Sequence, residues 1–181
     1  MMRVSENRYQ KDQQCLDLAS LFLEHEARTQ TIRAWTGLSD DRIRKLYRSY
    51  TATANRYVPR HRGKGPRQAA YFIRTNRIQQ ETAWLANFLL LLGAIPPEPS
   101  PNGGNALPSL SRGRALCDAF ETYRAMIPSA MISFEHAIFL AKLLACGDRL
   151  QLTSCNDCGS LMVLDLLSLR DTHCHHCAGQ S

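Results

Sequence analysis

Apolar residues recur along much of this chain with the period of an amphipathic α-helix. Residues 11–27 have apolar positions spaced i, i+3, i+4, i+7 and i+8, which are Cys15, Leu18, Ala19, Phe22 and Leu23. Residues 76–92 show a similar period in Ile78, Leu85, Phe88, Leu89 and Leu92. Because this spacing places the apolar residues on one face, each segment is predicted to be an amphipathic helix.

Two more helices are predicted beyond a break in the pattern. Gly93 and the Pro96-Pro97 pair end the second helix. Residues 96–108 are rich in Pro, Gly, Asn and Ser, which favour a linker that buries no core. Helices then follow at about 112–126 and 131–145, with Gly147 ending the last one. Neither shows the alternation of a β-strand, so the predicted fold is mainly α.

The segment 29–48 has the spacing of a helix-turn-helix. Ile32 and Ala34 belong to a first helix and Gly37 supplies the turn. Ser39 is a candidate N-cap, and the two aspartates after it lie where a helix dipole favours carboxylates. Three apolar residues are spaced to pack the second helix against the first: Leu38, Ile43 and Leu46.

Four basic residues of that second helix are expected to project outward: Arg42, Arg44, Lys45 and Arg48. In a recognition helix such side chains reach base edges and phosphates, and we expect DNA contact here. Short patterns of this kind also occur in helical hairpins that never touch DNA. A structural hairpin is therefore the alternative.

Positive charge continues into a segment that Pro and Gly keep out of a helix, residues 56–67. Its basic residues are Arg56, Arg60, Arg62, Lys64 and Arg67. An extended basic arm of this kind contacts phosphates or enters a minor groove, with little sequence discrimination. The alternative is an exposed, solubilising loop.

The overall charge is distributed unevenly. The net charge is +6, but residues 28–77 contain 13 Lys or Arg against two Asp, while the rest of the chain is acidic. Such asymmetry indicates a polyanionic partner. Duplex DNA is the favoured partner. An RNA-binding zinc-ribbon protein is the runner-up, because aromatic residues that could stack on bases are interleaved with the basic ones: Tyr47, Tyr50, Tyr57, Tyr71 and Phe72.

Two C-x2-C pairs near the C-terminal end carry the most specific chemistry, Cys155 with Cys158 and Cys174 with Cys177. Zn2+ prefers four soft ligands in a tetrahedron, and a two-residue spacer lets one turn present both sulfurs. We therefore expect one structural zinc per chain. The competing interpretations are a thioredoxin-like dithiol and substitution of a ligand by a nearby histidine: His173, His175 or His176.

The remaining composition indicates the setting of the protein. Cys15, Cys117 and Cys146 are expected to be buried apolar residues, and an odd cysteine count without a secretory leader favours a reducing cytoplasm. The apolar stretch 83–95 is too short to span a bilayer. Four thiolates leave no open metal position, and zincin and glycine-rich phosphate motifs are absent, so no enzyme is expected.

Two segments are similar to the C subunit of the bacterial flagellar master transcriptional activator, the FlhC family. Residues 27–47 begin ARTQ and end TGLSDDRIRKLY, and residues 147–159 read GDRLQLTSCNDCG. With the apolar helix around Trp84 and Phe88, the resemblance extends over nearly the whole chain. We expect three parts in the chain: an N-terminal helical region with the helix-turn-helix-like element (1–54), a basic arm with a helical core (55–148) and a zinc-binding module (149–181).

The resemblance implies a cytoplasmic, DNA-binding transcription activator. The family's four zinc-binding cysteines correspond to Cys155, Cys158, Cys174 and Cys177. The resemblance also implies a hetero-oligomer with a smaller D-type subunit, binding to promoter DNA of flagellar operons and assistance to RNA polymerase. The apolar stripes of the two helices at 11–27 and 76–92 are wide for so small a protein, and we expect one of them to bury against the partner.

Overall fold

A computed structural model describes residues 4–54, 59, 61, 63–167, 173, 174 and 177, and these residues are mainly helical, as predicted. The α-helices are α1 (Val4–Glu24), α2 (Thr29–Thr36), α3 (Asp40–Ala54), α4 (Asn76–Leu91), α5 (Gly103–Ala106), α6 (Leu110–Met126) and α7 (Phe134–Cys146). A 3-10 helix covers Ala69–Ile73, and two strands, β1 (Leu150–Ser154) and β2 (Leu161–Asp165), pair antiparallel. None of the described helices has the length and apolar character needed to cross a membrane.

Short polar side chains and glycines set the ends of the helices. The hydroxyls of Thr75, Ser109 and Ser133 accept backbone hydrogen bonds at the starts of α4, α6 and α7. Gly37 and Gly147 end α2 and α7 with left-handed φ angles of 70° and 69°. The predicted terminator Gly147 is thus confirmed. Helix α7 begins later than predicted because the Ser133 cap defines its first turn.

The apolar face of α1 lies at the centre of the core. Leu18, Ala19 and Phe22 are at most 1% exposed. The Phe22 ring centroid lies 5.8 Å from that of Trp35 on α2 and 5.1 Å from that of Phe134 on α7. Burying one such side chain contributes about 1.5–3 kcal/mol. The apolar stripe predicted for this helix is therefore buried within the chain itself.

A buried carboxylate connects α4 to α6 and to the segment before α7. Glu81 is 3% exposed and accepts hydrogen bonds from the Tyr123 hydroxyl, from Met131 N at 2.8 Å and from Arg77 Nε at 3.0 Å. Burial opposes its ionisation, but these donors lower the pKa of Glu81 overall. The ionised form therefore stabilises the fold at neutral pH, and that contribution is lost as the pH falls through the lowered pKa.

The prediction that residues 96–108 form a linker that buries no core is wrong. It contains α5, which packs on α7, and Leu107 is fully buried. Ser100 N donates to Ala145 O at 2.9 Å, and a Cβ at Gly103 would lie 2.0 Å from that same carbonyl oxygen. Glycine lets backbone pack directly on backbone, so this segment needs no apolar run to be buried.

The β-hairpin follows α7 and places the first cysteine pair. Leu150 pairs with Asp165, and the pairing continues to Ser154 opposite Leu161. Arg149 Nε lies 2.9 Å from Oδ1 of Asp165, which is 4% exposed. Among the described residues, β2 lies between the two cysteine pairs, whereas its partner β1 precedes the first pair.

We predict that Gly103→Ala destabilises the protein by about 1–3 kcal/mol, because the added methyl group meets the Ala145 carbonyl. Urea denaturation followed by circular dichroism measures the change. Asn105→Ala, on an exposed position of the same short helix, is the control and should be nearly neutral. Equal stability of Gly103→Ala and the parent protein would contradict the packing of α5 on α7.

Candidate metal centre and nucleic-acid interface

The four predicted cysteine ligands come together at the end of the hairpin. The sulfurs of Cys155, Cys158, Cys174 and Cys177 all lie within 4.8 Å of one another, although the two pairs are far apart in sequence. Cys158 Sγ and Cys174 Sγ are 3.7 Å apart. Four thiolates at about 2.3 Å from a central Zn2+ would be about 3.8 Å from each other. The cluster therefore has the size of a four-thiolate metal site.

Backbone hydrogen bonds shape the first cysteine pair into a tight turn. Cys155 N donates to Ser160 O at 2.9 Å, and Gly159 N donates to Cys155 O at 3.0 Å. Gly159 has a φ of 69°, a conformation that glycine adopts without strain. The second pair joins this turn through Cys174 N, which donates to Cys155 Sγ at 3.2 Å. The turn and its partner thus direct their sulfurs to one point.

The thiols of the cluster differ in acidity. The pKa of Cys155 is lowered to about 6, chiefly by the hydrogen bond from Cys174 N and then by that from Cys158 N. The pKa of Cys177 is raised, chiefly by its side-chain contacts with Cys174 and Cys158. Neighbouring thiolates repel one another, so all four ionise together only when a cation offsets their charge. A soft divalent cation such as Zn2+ fits this donor set.

A histidine and a carboxylate lie beside the cluster. His173 Nδ1 is 2.8 Å from Asp157 Oδ2, and these two residues with Cys155 form a second group of close ligand atoms. His175 and His176, the other predicted alternatives, lie outside the described residues. The four sulfurs offer a complete soft set, so His173 is better placed to hold the Asp157 turn than to replace a thiolate.

The three other cysteines were predicted to be buried. Cys15 and Cys117 are buried, which confirms the prediction for them. Cys146 is only half-buried, and its sulfur accepts a hydrogen bond from Gly104 N at 3.3 Å. That prediction is therefore wrong in degree, because the sulfur faces the backbone of α5 at the edge of the core.

The segment predicted as a helix-turn-helix consists of α2, a turn after Gly37, and α3. Ile32, Leu38 and Ile43 are at most 4% exposed and pack these helices against α1 and each other. Ser39 Oγ lies 3.4 Å from Arg42 N, which agrees with its predicted capping role. Trp35 also belongs to this buried face and was missed, although its spacing from Ile32 is that of a helical face.

The four basic residues predicted on α3 are all exposed, but they differ in their partners. Arg42 donates from both terminal nitrogens to the Asp12 carboxylate, each at 2.7 Å. Arg44 pairs with Asp41 at 2.9 Å. Lys45 and Arg48 have no acidic partner in the part of the chain that the structure describes. Arg42 and Arg44 therefore have carboxylate partners within the chain that the sequence pattern did not indicate.

The basic arm is only partly described. Arg56, Arg60 and Arg62 lie outside the described residues, whereas Lys64 and Arg67 are exposed. His61 Nε2 lies 3.0 Å from Glu26 Oε2 and attaches the arm to the end of α1.

A carboxylate of α7 connects the arm to the start of α2. Glu135 accepts hydrogen bonds from Arg28 N at 2.7 Å and from Thr31 Oγ1 at 3.1 Å. The Arg28 side chain in turn donates to Gly63 O at 3.1 Å. Sequence reasoning missed Glu135, because no local pattern relates residues separated by more than a hundred positions.

Comparison with known proteins identifies no relative from which a function could be transferred to this chain. No protein-family model matches the chain, and no significantly similar protein is found among curated sequences. The role of the chain is therefore inferred from the cysteine cluster, the basic surface and the resemblance described above.

We predict one metal ion per chain, lost on Cys174→Ser and retained on His173→Ala. Loss of one thiolate leaves an incomplete shell and couples metal loss to unfolding of the module, so Cys174→Ser should also be less soluble. Elemental analysis of purified protein gives the metal and its stoichiometry. A Cys174→Ser protein that keeps a full equivalent, or a His173→Ala protein that loses it, would contradict the four-thiolate site.

Proposed function

We propose that this chain is the DNA-binding subunit of a transcription activator that acts with a D-type partner subunit on flagellar operons. The observation that carries the proposal is the exposed basic face of α3, held on a buried α1–α2 platform. The resemblance to the FlhC family supplies the partner, the promoters and the contact with RNA polymerase. The cysteine cluster would hold one structural Zn2+ and take no part in a reaction.

The arrangement of α3 supports contact with DNA. At about 100° per residue, Arg44, Arg48 and Lys45 lie about 100°, 140° and 200° around the helix from the buried Ile43, so they share the side of α3 that faces away from the core. A helix presented in this way can enter a major groove, where basic side chains reach guanine edges and phosphates. Lys64 and Arg67 of the arm are exposed as well and would add phosphate contacts.

The aromatic residues give less support to the RNA-binding alternative. Phe72 is fully buried. Tyr71 stacks on His136 with ring centroids 4.1 Å apart, and both Tyr47 and Tyr71 pack on the core. Stacking of bases requires open aromatic faces, and these three rings already have protein neighbours. Tyr57 lies outside the described residues. Duplex DNA is therefore the better candidate partner.

The test is a competition between labelled duplex promoter DNA and single-stranded RNA for the metal-loaded chain. It should be run with and without a co-purified D-type subunit. We expect duplex DNA to be retained and the affinity to fall steeply with added salt, because phosphate contacts release counterions. Preference for the RNA would favour the alternative, and absence of binding to either polyanion would overturn the proposal.

We predict that Lys45→Ala and Arg48→Ala each weaken duplex binding. A phosphate contact should lower the slope of log K against log[salt] by about 0.9, whereas a base contact should cost about 1–3 kcal/mol on the cognate site only. Fluorescence anisotropy over a salt series separates the two. Lys142→Ala, exposed on α7 outside the basic segment, is the charge-matched control and should change little. If both α3 variants bind like this control, α2 and α3 form a structural hairpin.

We also predict that Asp12→Asn strengthens duplex binding, by about two- to fivefold at low salt. Asp12 holds the Arg42 guanidinium in an exposed ion pair, and such pairs contribute little to stability, so a phosphate can replace the carboxylate. The same anisotropy assay measures the gain. Asp17→Asn removes an identical charge from α1 without touching Arg42 and is the matched control. Equal effects of the two variants would mean that Arg42 pairs with α1 and does not contact DNA.

A further inference from the structure

A groove runs between α4 and the hairpin and continues to the cysteine cluster. Its volume is about 680 Å3, within the range of about 300–1,000 Å3 typical of ligand pockets. Apolar side chains form most of its surface, including Trp84, Phe88 and Leu91 of α4 and Leu161 and Met162 of β2. No Lys, Arg, Asp or Glu is found among the described residues that line it.

The exposed apolar surface of α4 contrasts with the buried stripe of α1. Trp84 is 44% exposed and Leu91 is 76% exposed, and both line the same groove. Of the two predicted apolar stripes, the one in 76–92 therefore keeps exposed apolar side chains, whereas the apolar residues that define the stripe in 11–27 are buried.

The shape of this surface suits a helix. Gln80, Trp84, Asn87 and Leu91 all line the groove and recur at i, i+4, i+7 and i+11 along α4. At a rise of 1.5 Å per residue, this row extends over about 16 Å, which is about three turns of a helix lying alongside it. An amphipathic helix places its apolar residues in a groove with the same repeat.

The charge of the groove indicates the second property of the occupant. Cys158 and Cys174 form part of its wall. Four thiolates around one Zn2+ would carry a charge of about −2, and none of the groove-lining residues that the structure describes is basic. A cation on the bound helix would therefore be favourable next to the cysteine wall.

We propose that this groove binds an amphipathic helix of a partner protein, with its apolar face on Trp84, Phe88 and Leu91 and a Lys or Arg beside the cysteine cluster. The inference deepens the proposed function, because it gives the partner subunit a surface and a chemistry. It requires no contact between the partner and the basic face of α3.

The probe is a synthetic amphipathic peptide of about 18 residues, or five helical turns, made of Leu and Ala with Lys flanking the apolar face. A second peptide carries Glu in place of every Lys. Acrylamide quenching of tryptophan fluorescence reports on Trp84, because the other tryptophan, Trp35, is only 4% exposed. The full, metal-loaded chain is used throughout.

We expect the Lys peptide to protect Trp84 from acrylamide in a saturable manner and the Glu peptide to bind about tenfold more weakly. Leu91→Asn should weaken protection by the Lys peptide about tenfold, because it removes an apolar contact of about 1.4 kcal/mol. Leu167→Asn is the control, since Leu167 is 71% exposed but does not line the groove. Circular dichroism of both variants confirms that they fold.

Three results would overturn the inference. The first is no protection by either peptide, and the second is equal protection by both. The third is peptide-independent protection that grows with protein concentration together with a dimer in light scattering, which would make a second copy the occupant. Duplex DNA binding is measured on the same samples, so loss of the groove inference and failure of the DNA-binding proposal give different outcomes.

Discussion

Burial of the α1 apolar face around Phe22 is the constraint on which the other features depend. Its ring meets Trp35 of α2 and Phe134 of α7, and His25 at the end of α1 packs on Phe120 of α6. Aromatic pairs of this kind add about 0.5–1.5 kcal/mol each beyond their area. Because α1 is used in this way, α2 and α3 are seated against the core rather than left as an isolated hairpin.

The packing of α1 also affects which other helices keep exposed side chains. With the apolar face of α1 buried, Trp84 and Leu91 leave exposed apolar area on α4, whereas exposed basic side chains lie on α3. The cysteine cluster adjoins α4 through β2, so two of its cysteines, Cys158 and Cys174, also line the apolar groove. A metal ion bound by the four cysteines would therefore hold Cys174 to the hairpin and fix that wall of the groove.

Sequence reasoning predicted the features that local pattern controls. The period of apolar residues located α1, α4 and α6, and the two-residue spacers located the four cysteines that lie together. It failed where contacts are made by backbone or by distant residues. Gly103 buries α5 without any apolar side chain, and Glu135 joins Arg28 across most of the chain. Strand β1 has only five residues, with the polar Gln151 between two leucines. This alternation is too short to be recognised as a strand so close to the end of α7.

Charge counting along the sequence overstates the number of cations that a polyanionic partner could reach. Of the ten basic residues in 28–77 that the structure describes, five lie within 4 Å of a carboxylate: Arg28, Arg33, Arg42, Arg44 and Arg77. Arg28 and Arg77 face the nearly buried carboxylates of Glu135 and Glu81, so their charge holds elements of the fold together. The pairs of Arg42 and Arg44 are exposed, and a phosphate can exchange with an exposed carboxylate at little cost. A basic segment can thus be divided into cations that build the fold and cations that remain exchangeable, and only the second group would contribute to salt-dependent binding of a polyanion.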